Sequence, residues 1–174
     1  MEYDGAALNA GSAGGHRTSG AAVRGRERRQ KERHVDVDFA EAAVRHYEDG
    51  EKLHASGSIP NAGQLFGFCA ECGLKALLVA FGADRDPASG DLLRDDSRRR
   101  HIERLWATMD TFPTSDAAYS RYLGMIRGLG DFRDWSTSHR YCASSAIPNS
   151  CELWRAAARS VREMVDVATI DGRM

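Results

Sequence analysis

Arg133 and His139 are the residues whose types and spacing best fit chemistry on a phosphate, and both lie in the polar and aromatic segment 131–142. An imidazole titrates near neutral pH and can exchange a proton with a reacting oxygen. A guanidinium presents a planar fork of N–H donors that matches phosphate oxygens. The pair could therefore cleave an RNA phosphodiester without a metal ion, with Arg133 binding the phosphate and His139 acting as general acid or base.

Neighbouring residues could assist this pair. A carboxylate and a phenol in the segment could support or regulate it, and nearby arginines could make a groove locally positive although the net charge of the chain is −1. The supporting or regulatory candidates are Asp134 and Tyr141, and the RNA-binding candidates are Arg127 and Arg140.

Other interpretations of the same residues stay open. Arg133 could be a surface arginine that pairs with Asp131 or Asp134, and His139 could be a partly buried histidine near Tyr141. Trp135 could stack on a base or plug the end of a helical bundle, and we expect plugging.

Apolar residues recur at helical spacing from residue 35 onward, and no segment alternates with the period of a strand. The pattern predicts an all-α protein, an antiparallel bundle of four to five helices. The first two expected helices run from a cap at Asp36 or Asp38 to near Ser56, and from Ser58 to Gly82. The next two run from Ile102 to before Pro113, and from Asp116 to near Gly128. The last begins with a capping box at Asn149–Glu152 and ends at about Ala168.

The first 34 residues differ from the rest in composition. They are rich in Gly and Ala and then in Arg, and they contain seven basic and four acidic residues. This composition predicts a disordered tail, 1–34, followed by one helical domain, 35–174. The tail could contact RNA or DNA phosphates, although a solvated disordered tail is the preferred interpretation.

The four cysteines raise the question of a metal or redox site. Cys69 and Cys72 form a C-x-x-C pair, but they lie within a predicted buried helix, whereas zinc ligands of this spacing normally lie on a turn. We expect small core residues and no bound metal or cofactor, with a C-x-x-C metal protein as a weaker alternative. The absence of an apolar N-terminal stretch and of any run near ~18 apolar residues predicts a soluble, cytoplasmic protein with reduced thiols.

Three segments resemble the HEPN superfamily of helical domains. They are His46–Leu53 (HYEDGEKL), Asn61–Leu78 (NAGQLFGFCAECGLKALL) and Arg133–His139 followed by Tyr141, which matches the Arg-polar-x4-His signature with its H-x-Y extension. The resemblance covers about residues 38–170. It implies a HEPN-like bundle and a metal-independent endoribonuclease of the toxin or defence type, in which Arg133 and His139 act on the RNA phosphate.

The resemblance also implies partners and a second-helix function. Active relatives are typically homodimers that face two Arg/His pairs across a cleft, and some pair with an antitoxin or a small nucleotidyltransferase. Glu71 and Lys75, four residues apart, are expected to form a salt bridge; in the family such a pair can orient the catalytic arginine. The alternative function is a non-catalytic HEPN module that binds a nucleotide, RNA or a partner protein.

Overall fold

The structure, a computed structural model, describes residues 37–93 and 100–174. The predicted tail, 1–34, lies outside these residues. The described part is mostly helical, with about five α-helices packed together and no strand beyond an isolated bridge between Arg85 and Leu92. The predicted all-α class is confirmed at this level. The helices are α1 (Phe39–Ala55), α2 (Ile59–Ala80), α3 (Ile102–Leu105), α4 (Ala117–Met125) and α5 (Cys151–Ile170).

Four short 3-10 helices complete the described architecture. The first, η1 (Trp106–Thr111), continues α3. The other three lie between α4 and α5, and they are η2 (Leu129–Asp134), η3 (Thr137–Tyr141) and η4 (Ser144–Ala146). The segment that fitted no predicted helix therefore folds as a succession of tight turns.

Local signals in the sequence set three of the helix ends. Asp38 caps α1 by accepting the Glu41 amide at 2.9 Å, and Asp116 caps α4 by accepting the Ala118 amide at 2.9 Å. Pro60 lies in the first turn of α2, where its missing N–H costs nothing. These boundaries agree with the sequence-based expectation.

Two predicted features are wrong in detail. The third helix has only four α-helical residues before it tightens into η1, where the Thr108 and Thr111 hydroxyls donate to carbonyls three residues back. The capping box at the start of α5 does not form. Ser150 occupies the N-cap without a capping hydrogen bond, and its hydroxyl donates to Asp134 Oδ2 at 2.5 Å instead.

The core is organised around α2, which packs mainly on α1 and α5. It is apolar on nearly all sides and mostly buried, with a half-buried stripe formed by Leu65, Phe68, Cys72 and Val79. By length and composition α2 could also cross a membrane, but 78% of its most apolar window is buried inside the protein, as in the core helix of a globular domain. Cys69 is fully buried there and Cys72 is half-buried.

Candidate functional site

Trp135 anchors the turns that carry the predicted site. Its indole is 1% exposed, and its Nε1–H donates to the Gly63 carbonyl at 2.9 Å. A Cβ on Gly67 would lie only 2.0 Å from the indole, so the ring fits because this position of α2 lacks a side chain. Trp135 therefore plugs the bundle, as expected, and fixes the chain between Arg133 and His139.

Trp154 on α5 is the second anchor. It is 1% exposed, and its Nε1–H is shared between the Asp131 carbonyl at 3.1 Å and Asp134 Oδ1 at 3.0 Å. The His139 ring stacks on it with centroids 6.1 Å apart and 24° between the planes. One buried indole thus contacts both η2 and η3 from a regular helix.

His139 is half-buried, and its Nδ1 is a buried atom without a hydrogen-bond partner. The residue lines a hollow of about 200 Å³, which we call the histidine hollow. Its lining also includes Ser58, Pro60, Asn61, Gln64, Arg140, Cys142, Ser144 and Ile147. A titratable ring held by stacking at the edge of a concave surface is a suitable position for a proton-transfer group.

Arg133 lies on η2 and is exposed. Its Nε–H donates to the Gly130 carbonyl at 2.8 Å, within the same turn. Among the described residues its side chain forms no ion pair with Asp131 or Asp134 and no hydrogen bond with His139. The structure therefore places Arg133 and His139 on consecutive turns without direct contact.

The remaining candidates are all exposed and differ in their contacts. Asp134 bonds to Ser150 and Trp154, so it ties the turns to the start of α5. Tyr141 is 79% exposed, and the Arg140 guanidinium lies 4.8 Å from its ring centroid. Arg127 is exposed, and its backbone N–H and carbonyl both bond to the Ser160 hydroxyl at 3.0 Å.

Glu71 and Lys75 form the predicted salt bridge, with 2.7 Å between Oε1 and Nζ and both residues 8% exposed. Glu71 Oε2 also accepts from His101 Nδ1 at 2.9 Å, and Lys75 lies 5.7 Å from the Phe39 ring centroid. The pair thus links α2 to α1 and to the residue before α3. Neither side chain contacts Arg133, so the pair does not orient Arg133 through a direct contact.

Gln64 is a site residue that the sequence analysis did not identify. It is 6% exposed on α2, its Nε2 donates to the Ser136 carbonyl at 2.9 Å, and its Oε1 is buried without a partner. Because a carbonyl can only accept, this bond fixes which end of the amide is the oxygen. A glutamine within a mostly apolar helix was the available signal, since buried polar groups normally have a specific partner.

A second hollow of about 300 Å³ adjoins the histidine hollow, and we call it the proline hollow. The two share Pro60, Ser144 and Ile147 as lining residues. The rest of its lining is Ile59, Ser145, Pro148, Asn149, Cys151 and Trp154. It is therefore mostly apolar, with one amide side chain at its edge.

The larger concave surfaces lie elsewhere. One of about 430 Å³ includes Phe39, Ala76 and Arg173 in its lining, and one of about 620 Å³ includes Val44, Val165 and Ile170. Neither includes any of the predicted catalytic or RNA-binding residues. Size alone does not indicate the site here, and the chemistry of the lining favours the histidine hollow.

Comparison with protein-family models, with curated proteins and with solved structures found no match. Among the described residues there is also no group of three or more His, Cys, Asp or Glu side chains that could hold a metal ion.

Proposed function

We propose that this chain is a HEPN-like antiparallel helical bundle that acts as a metal-independent endoribonuclease of the toxin or defence type. The observation that best supports the proposal is the placement of His139, stacked on Trp154 at the edge of a hollow that Arg140 also lines. RNA is the proposed substrate and a cytoplasmic homodimer the proposed form, with an antitoxin or nucleotidyltransferase as a possible partner.

His139 would exchange the proton in this reaction. As a general base it would accept the proton of the 2′-hydroxyl as that oxygen attacks the phosphorus, and as a general acid it would donate a proton to the departing 5′-oxygen of the same step. Only Nδ1 of its ring is buried without a partner. The ring can therefore take part in proton transfer through Nε2 while packing on Trp154 keeps its orientation.

Arg133 would bind the phosphate and stabilise its developing charge. Its Nε is engaged by the Gly130 carbonyl, which leaves the terminal nitrogens for the two phosphate oxygens. The exposed guanidiniums of Arg127 and Arg140 would add positive charge for the flanking phosphates.

A specific observation favours the second candidate, a non-catalytic module that binds RNA, a nucleotide or a partner protein. Arg133 and His139 make no direct contact, and Arg133 is bonded within its own turn. A catalytic interpretation therefore needs the substrate, or a second protomer, to bring the two groups onto one phosphate.

Arginine variants test the proposal. We expect Arg133→Ala to reduce RNA cleavage strongly and Arg133→Lys to restore little of it, because an ammonium cannot reproduce the bidentate fork. Arg104, an exposed arginine on α3, provides the matched control, and Arg104→Ala should leave cleavage unchanged. Equal cleavage by Arg133→Ala and Arg104→Ala would show that Arg133 takes no part in the reaction, and RNA binding without cleavage by the wild type would favour the binding module.

A further inference from the structure

We infer that the proline hollow is a subsite for one unpaired RNA base, whose phosphate lies against His139 and Arg140 in the histidine hollow. The inference rests on the proposed function, because it takes RNA as the substrate. Beyond that proposal, it specifies where a nucleotide binds and which residues distinguish a nucleotide from a sugar phosphate that has no base.

The first argument is the shape of the paired hollows. Pro60, Ser144 and Ile147 line both, so the two hollows are adjacent and a ligand of nucleotide length could occupy both. One end has a titratable ring and a guanidinium, and the other has Ile59, Pro148 and Trp154. A nucleotide has the same division, since an anionic phosphate is joined to a flat, largely apolar base.

The second argument is the unpaired polar chemistry within the histidine hollow. Gln64 is more than nine-tenths buried and lines this hollow, yet its Oε1 has no hydrogen-bond donor. Buried polar atoms without partners cost free energy, so a nucleotide whose ribose hydroxyl donates to Gln64 Oε1 would be stabilised.

The dimensions require an unpaired base. A volume of about 300 Å³ is at the lower limit for small-molecule sites, so it suits a single ring system. A base that enters such a hollow cannot remain stacked in a duplex, and proteins that read RNA by sequence mostly contact unpaired nucleotides for this reason. Asn149 lies at the edge of the hollow with an exposed amide that can donate to and accept from a base edge.

Calorimetric titration of the full chain tests the subsite directly. The probes are adenosine, guanosine, cytidine and uridine 5′-monophosphates, with ribose 5-phosphate as the matched ligand without a base. We expect at least one nucleotide to bind about tenfold or more tightly than ribose 5-phosphate, as base stacking and apolar contact typically provide. Equal affinity of all five ligands would overturn the inference.

Two variants locate the effect. Ser145 is exposed and lines the proline hollow, so Ser145→Trp should fill it and remove the advantage of the nucleotides, while Ser120→Trp on α4 should not. Asn149→Ala removes an exposed side chain and should change the relative affinities of the four nucleotides without loss of folding. An unchanged nucleotide advantage in Ser145→Trp, or unchanged relative affinities in Asn149→Ala, would contradict the assignment.

The outcome separates this inference from the ribonuclease proposal. Nucleotide binding that depends on Ser145 and Asn149, without RNA cleavage, would support the subsite and reject the catalytic function. RNA cleavage that depends on His139, with nucleotides bound no better than ribose 5-phosphate, would reject the subsite alone.

Discussion

The His139 ring lies stacked against the Trp154 indole, with 6.1 Å between the centroids and 24° between the planes. Trp154 belongs to a 20-residue helix and is itself held by hydrogen bonds to Asp131 and Asp134. The candidate proton-transfer group, although it lies on a short 3-10 turn, is therefore oriented by a regular element. Sites supported in this way are positioned more precisely than loop residues without such packing.

Asp134 should stabilise the protein through its hydrogen bonds to Trp154 and Ser150. We expect Asp134→Ala to lower the free energy of unfolding by about 1–2 kcal/mol, because each hydrogen bond contributes about 1 kcal/mol. Asp134→Asn keeps an acceptor for the indole and a polar partner for the hydroxyl, so it should cost less. Urea denaturation measures both, and an equal loss in the two variants would show that these bonds contribute nothing specific.

Gly67 should be intolerant of a side chain because its ideal Cβ lies 2.0 Å from the Trp135 indole. Gly67→Ala is expected to destabilise the fold by about 1–3 kcal/mol through overpacking. The control is Gly124→Ala on α4, where nothing lies within 4 Å, and there alanine should stabilise by up to about 1 kcal/mol. Thermal unfolding that shifts in the same direction for both variants would contradict the close packing of Trp135.

His46 should make stability fall in mild acid. Burial lowers its pKa below the ordinary value of about 6.5, with a further lowering by Arg45 that Asp49 and Glu71 partly offset. As the pH falls through this ordinary value, the unfolded chain binds a proton that the folded chain does not, and the free energy of unfolding decreases until the folded pKa is passed.

The measurement is denaturant unfolding at pH 7.5 and at pH 5.5 for the wild type and for His46→Gln. The wild type should lose more stability between the two values than the variant, which has no imidazole to titrate at this position. An identical pH dependence in both proteins would show that His46 titrates alike in the folded and unfolded chains.

The cysteines should differ sharply in reactivity. Burial raises the pKa of Cys69, and it raises the pKa of Cys72 to about 12 and of Cys151 to about 11, whereas Cys142 is exposed. Because the thiolate is the reactive form, we expect one rapidly modified thiol per native chain, absent in Cys142→Ser. The number of fast thiols is measured from the time course of modification by a thiol reagent at pH 8. Two or more fast thiols, or one zinc ion bound per chain, would instead favour the C-x-x-C metal site.

The sequence predicted those parts of the fold that depend on nearby residues. The caps at Asp38 and Asp116 act within three residues, so they were visible. The short length of α3 was not predictable, because an apolar spacing over eight residues fits both an α-helix and a 3-10 helix. The failed capping box also has a distant cause, since the Ser150 hydroxyl bonds to Asp134, 16 residues earlier.

The candidate site was predictable only in part for the same reason. The types and spacing of Arg133 and His139 are local properties, and they identified the segment. The Trp135 hydrogen bond to Gly63 and the Gln64 bond to Ser136 each span 72 residues of sequence, so they emerge only in the folded chain. The two hollows likewise arise from packing between the α2 start and the turns before α5.

Single-turnover cleavage of an unstructured RNA by the wild type and by His139→Ala, in the presence of EDTA, tests the central claim most directly. The account predicts cleavage by the wild type without a metal ion, and a rate about 10²–10⁴-fold lower in the variant, as expected for loss of a general acid or base. Circular dichroism should show that the variant remains folded. Equal cleavage by the two proteins, or no cleavage by the folded wild type, would contradict the account.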